Sequence, residues 1–253
     1  MKPFFFAPLL LGLCIAPAAG AIEGTALEIA FKDRNERPGR VLIQDGRARG
    51  ESERSRYSYV LADLTMPSLV FVDLGERTRT DASRVLFNGQ PERYRLESRG
   101  TAEAVAGRPT REYAVYDDNG QLCSRLFVWS EPLEPELEAL RGWLGRIRVD
   151  PKAVLPALGR LADGLLSPCA RAEMDAMAEL SRHGLLIKRI NADDITAFTV
   201  TEVRTVAHLE NCRMEAPARF ENLPPPELVK RMLYRALFGG RPEPDPRLLE
   251  RCP

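Results

Sequence analysis

The stretch from Gly100 to Pro132, GTAEAVAGRPTREYAVYDDNGQLCSRLFVWSEP, constrains the fold more than any other part of this chain. Two β-rich runs, Arg111–Tyr116 and Gln121–Trp129, flank Asp117-Asp118-Asn119-Gly120. An Asn-Gly pair between such runs is a strong hairpin signal, because both central residues of a type I′ turn take φ > 0. Along the first run Glu112, Ala114 and Tyr116 alternate with Arg111, Tyr113 and Val115. Along the second, Leu122, Leu126 and Val128 share one face, and Cys123, Phe127 and Trp129 share the other. Apolar residues on both faces predict a hairpin central to a sheet, with each face partly covered. The hairpin carries no catalytic constellation.

The segments before it are β-rich. Thr25–Phe31 alternates, and Arg40–Gln44 returns after a polar turn. Asp45-Gly46 is another turn signal, and Arg47–Arg56 fits either an exposed strand or a loop. Tyr57–Leu61 and Ser68–Asp73 predict strands separated by Met66-Pro67. Thr78–Thr80, Val85–Phe87 (ending at Asn88-Gly89) and Tyr94–Ala104 complete an antiparallel meander. The middle of the chain switches to helical period. Leu133, Leu137, Leu140 and Leu144 form one stripe with Trp143 beside it, and Asp150-Pro151 starts a second apolar face through Leu165. Ser167-Pro168 starts a third helix, with Cys169, Met174, Met177 and Leu180 inward and His183-Gly184 as an αL stop. Leu185–Ile190 and Thr196–Leu209 are strands around an Asn191–Asp194 turn; Asn222–Pro226 stops the sheet, and Glu227–Phe238 is amphipathic. Strands, helices, two strands and a helix make an α+β chain: one antiparallel sheet covered on one side by helices.

The N-terminus reads as an export signal. Lys2 precedes the apolar run Phe4–Ile15, too short for a membrane span, and Ala19-Gly20-Ala21 fits a small-residue cleavage site. Residues 1–21 are therefore expected to leave, with Cys14 among them, since Leu13 stands where a lipid-attachment site wants a small residue. A single domain over 22–239 and a Pro-rich tail over 240–253 are expected. Without Lys2 the basic side chains fall from 36 to 35 against 36 acidic ones, leaving no electrostatic footprint for nucleic acid. No membrane span follows the signal. Four cysteines remain, Cys123, Cys169, Cys212 and Cys252, an even set that favours two disulfides in an exported chain. Three connectivities are open; Cys123–Cys169, tying a helix to the hairpin, and Cys212–Cys252, tying down the tail, is the pairing expected.

Catalytic signals are weak. His183 and His208 are the only histidines, and neither sits in a metal-ligand spacing. Asp117-Asp118 and Asp193-Asp194 fall in turns, where Asp bonds the local backbone. No nucleophile elbow or phosphate loop is present, so no enzyme activity and no cofactor is expected, although a hydrolase with a dispersed site has no signature to read. Phe31, Phe71, Phe127, Trp129, Trp143, Met174 and Met177 are the candidates for an apolar ligand site between sheet and helices. A solid core built from the same residues is the competing reading.

The motifs Ala106–Val115, Leu126–Trp129, Gly184–Lys188, Thr201–Val206 and Phe220–Pro224 resemble a family of exported bacterial proteins of unknown function. That family is distantly similar to LolA-like lipoprotein carriers. The resemblance implies a curved, unclosed half-barrel with an apolar cavity for lipid or acyl chains; the periplasmic location is expected from the cleaved N-terminal signal. It carries over no binding residue. Two functional expectations follow: a periplasmic carrier of an apolar ligand, or an envelope interaction or sensor module with a solid core and a protein partner.

Overall fold

The computed structural model describes residues 25–53, 57–87, 94–148, 167–228 and 230–231. The expected signal peptide, Asn88-Gly89 turn, Asp150–Leu165 helix, Cys252 and 240–253 tail lie outside the described residues, as does most of the Glu227–Phe238 helix. The chain opens with β1 (Thr25–Asp33), β2 (Pro38–Gln44), β3 (Arg47–Ser52), β4 (Ser58–Asp63), β5 (Ser68–Asp73) and β6 (Thr78–Asp81). A short helix α1 (Ser83–Phe87) leads to β7 (Arg95–Val105), β8 (Arg108–Tyr116) and β9 (Leu122–Trp129). Helices α2 (Pro135–Leu144) and α3 (Pro168–His183) precede β10 (Leu185–Asn191) and β11 (Thr196–Ala207). A 3-10 turn (Asn211–Met214) and β12 (Glu221–Asn222) follow.

These strands form one 12-stranded sheet in the order β12-β6-β5-β4-β3-β2-β1-β11-β10-β9-β8-β7. Every pairing is antiparallel except that of the two-residue β12, which runs parallel to β6. The α+β class with one large, open, largely antiparallel sheet is therefore what the chain adopts. The sheet curls: β7 comes near β11 although three strands lie between them, and the Lys188 ammonium on β10 pairs with Glu103 on β7. The hairpin β8–β9 is not central, since only β7 lies beyond it. The middle belongs to β1, which pairs with β2 on one side and with β11 on the other, placing Leu27 opposite both Ile43 and Thr205.

Three local expectations are corrected. At Asp117–Gln121 the turn is not type I′. Asn119 keeps a negative φ and only Gly120 is left-handed (φ 78°). The Asp117 carboxylate accepts from the Asn119 and Gln121 amides at 3.0 and 2.8 Å, and this clamp favours a longer loop over the two-residue turn. Paired positive φ values occur instead at Asp45-Gly46 and Ala106-Gly107, the two-residue links of β2–β3 and β7–β8. Val85–Phe87 is helical, not extended, because the Asp81 carboxylate accepts from the Ser83 amide at 2.9 Å and closes the strand just before it. Gly184 is extended (φ 161°) rather than left-handed. It is needed for close approach: a Cβ there would lie 2.1 Å from the Trp129 carbonyl oxygen. The segment left open between strand and loop, Arg47–Arg56, contains β3, an interior strand whose Ala48 faces the core.

The inner face of the curl holds the main core. Ile29, Ile43, Ala48, Ala62 and Leu69 from β1–β5 meet Phe127, Trp129, Leu185, Ile187 and Val200 from β9–β11, with Leu137 and Trp143 of α2 on top. Leu86 and Phe87 of α1 pack against the same cluster. The Trp129 indole N–H donates to the Val105 carbonyl at 3.1 Å, and that of Trp143 to the Ser68 carbonyl at 3.2 Å. On the outer face, Leu126 and Val128 of β9 pack with Tyr113 and Val115 of β8 against Ala172, Ala176 and Leu180 of α3. Farther along that face Tyr59, Leu61, Val72 and Leu74 are covered by Phe220. Within α2, Gly142 has open space around the position of a Cβ. Gly142→Ala is expected to raise stability by about 0.5–1 kcal/mol, because it lowers unfolded-chain entropy without a clash; a urea-unfolding midpoint that does not rise would contradict this.

Candidate apolar site on the inner face

The structure disperses the seven apolar-ligand candidates. Phe127, Trp129 and Trp143 are sealed in the inner core. Met177 packs against the outer cluster beneath α3, and Met174, on the same helix, joins neither core, so both are across the sheet from the two tryptophans. Phe31 and Phe71 remain on the inner face, toward its open side. Phe31 packs at the margin of the core, and Phe71 is 38% exposed.

Register explains what surrounds them. Ile29, Val41, Gly50, Val60 and Phe71 are successive direct partners across β1–β5. Side chains alternate along a strand, so this row points the same way as the buried row Ile43, Ala48, Ala62 and Leu69 beside it. Trp143 and α2 cover the second row. In the first row Ile29 is buried, Val41, Gly50 and Val60 are half-buried, and Phe71 is exposed. Gly50 leaves room for Val60, whose Cγ2 would lie 2.8 Å from a Cβ there, and the Phe31 ring lies over Gly39 in the same way. Sequence reasoning picked Phe31 and Phe71 by residue type. It missed Val41 and Val60, because only strand register shows that they continue the row.

The polar chemistry lies elsewhere. On the outer face Arg204 bonds Glu28 at 2.7 Å, Arg40 bonds Glu51 at 2.7 Å, and the Arg49 guanidinium stands 3.7 Å over the Tyr59 ring. Burial works to raise the Glu51 carboxyl, but Arg49 and Arg40 outweigh it and hold the group below its ordinary value. His183 stacks on Tyr113 at 5.1 Å, and His208 Nε2 meets the Gln44 amide nitrogen at 3.2 Å. Asp194 pairs with Arg125. One grouping of possible metal donors closes within 4.8 Å among the described residues, Asp117 with Cys123 and Cys169. Its two sulfurs are joined in the expected Cys123–Cys169 disulfide, with Cα atoms 5.0 Å apart. Cys212 is also disulfide-bonded, and the expected partner Cys252 is outside the described residues.

Beneath α3, Glu173 pairs with Arg189 at 2.7 Å, and burial raises its carboxyl despite the arginine and Ser124. A carboxyl raised in the folded state holds its proton longer there than in the unfolded chain. Its stabilising contribution is therefore complete at low pH and is lost as pH rises through the raised value. Glu173→Gln is expected to flatten that descending limb of stability against pH; an unchanged limb in urea titrations above pH 4 would show that the group is not the source.

No protein-family model matches the chain, and no curated protein does. Solved structures do, among them two of PNGF-II, in C2 and P21 crystal forms. Each aligns with a TM-score of 0.45, at 10% and 8% identity, and covers 84% of this chain but 33% and 34% of the other. The chain thus spans about a third of the length of PNGF-II, and a likeness this distant carries no argument about activity.

Proposed function

We propose that this chain is an exported, periplasmic, non-enzymatic binding protein that takes an apolar ligand, such as an acyl chain, against the inner face of its sheet. The carrying observation is the half-exposed row Val41, Gly50, Val60 and Phe71 with Phe31 beside it. The row across β2–β5 spans about 14 Å at the usual strand spacing, and Phe31 on β1 extends it to about 19 Å, the scale of a long acyl chain. Burying such a chain against valine and phenylalanine side chains needs no polar partner. The resemblance to LolA-like carriers supports the reading, and the export signal and disulfide support the compartment. The ligand lies on the rim of the core rather than within it, since Trp129 and Trp143 already fill the centre.

The test is uptake of an environment-sensitive fluorescent fatty acid by the purified protein. Phe71→Ala and Val60→Asp are each expected to weaken binding about tenfold or more with the circular dichroism spectrum unchanged. Probe affinity that neither variant alters would remove the inner row from consideration. The burial and hydrogen bonding of both indoles favour a second reading, an envelope interaction module with a solid core. Complete failure of probe uptake by the wild-type chain supports that alternative.

A further inference from the structure

We propose that the Cys123–Cys169 disulfide is a redox-controlled latch on the first two turns of α3, closed by exchange with an oxidised dithiol and opened by a reduced one. The β8–β9 pairing steps from Val115 opposite Ser124 to Tyr116 opposite Leu122, so Cys123 is the extra residue of a bulge. That bulge turns Cys123 onto the α3 face, away from the face of Phe127 and Trp129 that simple alternation assigns to it. Its partner Cys169 is half-buried at the second position of α3, behind Pro168 and the Ser167 N-cap, whose hydroxyl accepts from the Ala170 amide at 3.1 Å. A helix N-terminus favours thiolate over thiol.

The two halves of α3 are held differently. The second half buries Ala176 and Leu180 with part of Met177, and it ends at Gly184 against the Trp129 carbonyl. The first half buries Ala172 and otherwise rests on a polar seam. Ser124 is 0% exposed and stands opposite Asn191, with Arg189 two residues along β10. The buried Arg189 Nε and Asn191 Oδ1 have no hydrogen-bond partner among the described residues. The Ser124 hydroxyl lies by the Glu173 carboxyl without hydrogen-bond geometry. Groups like these are costly to keep dry and gain by meeting water. The seam thus favours opening, and the covalent bond opposes it.

The exchange is balanced. A dithiol's thiolate attacks Cys169 Sγ, the S–S bond breaks, and Cys123 leaves as a thiolate and takes a proton. The second thiol then attacks the mixed disulfide and releases Cys169 as a thiolate together with the oxidised dithiol. Two electrons pass from reductant to protein.

The full chain is treated with dithiothreitol without denaturant, sulfurs are mapped by alkylation and mass spectrometry, and hydrogen exchange is followed by peptide. The expected result is reduction of Cys123–Cys169 in the native state, with exchange over 168–175 faster by about tenfold or more. Residues 176–183 and β9–β10 keep their protection. The double variant Cys123→Ser, Cys169→Ser reproduces this pattern without dithiol and isolates it from the Cys212 bridge. A bond reduced only after denaturant, unchanged exchange over 168–175, or loosening of α3 along its whole length would each overturn the proposal.

Discussion

Trp129→Ala is expected to lower the free energy of unfolding by about 5 kcal/mol, the top of the range for an aromatic truncated in a core. Trp129 is 1% exposed and sits where β9, β10 and α2 meet. Alanine leaves a cavity lined by elements paired on either side, so the site has little freedom to collapse. It also strips the Val105 carbonyl of the indole donor at 3.1 Å, next to the β7–β8 turn. Trp129→Phe separates the two effects: it keeps most of the apolar contact and loses the hydrogen bond, for about 2 kcal/mol. Circular dichroism in urea reads both variants. Total stabilities near 5–15 kcal/mol place the alanine variant close to the limit of folding. An alanine midpoint equal to that of phenylalanine would show that packing around the indole is looser than described.

Gly184→Ala is expected to cost about 3 kcal/mol or more, above the usual overpacking penalty. The added Cβ would lie 2.1 Å from the Trp129 carbonyl oxygen and 3.1 Å from Val128 Cβ. Neither neighbour can step aside cheaply. Leu185 pairs with Trp129 and Leu186 with Val128, so movement would pull β10 off β9. Movement of α3 would lift Leu180 from the outer cluster. The same substitution at Gly142, in open space, has the opposite sign, so the pair controls for the chemistry of adding a methyl group. Equal midpoints for the two variants in thermal or urea unfolding would sink the close-approach argument.

Strand-rich segments, turn residues and helix starts were legible because each is a local signal. Ser68–Asp73 matches β5 residue for residue, and Ser167-Pro168 starts α3 with the hydroxyl cap its sequence predicts. The short parallel β12 was not legible, since two residues carry no period. It is held by the Glu221 and Leu223 amides donating to the Arg77 and Arg79 carbonyls at 3.0 and 2.8 Å. Of the candidate site, residue type pointed to Phe31 and Phe71. It pointed equally to Trp129 and Trp143, which the core absorbs, and to Met174 and Met177, which α3 carries to the other face.

By itself the sequence determined the α+β class, the succession of most strands and helices, and an even cysteine set in which Cys123–Cys169 was one of three open connectivities. These follow from hydrophobic period, capping residues and cysteine count. The tertiary structure alone decided that β1 sits between β2 and β11, that a bulge swings Cys123 toward α3, and that Val41 and Val60 join Phe71 in one row. Each depends on register between strands remote in sequence, and a one-residue shift in register exchanges the two faces of a strand.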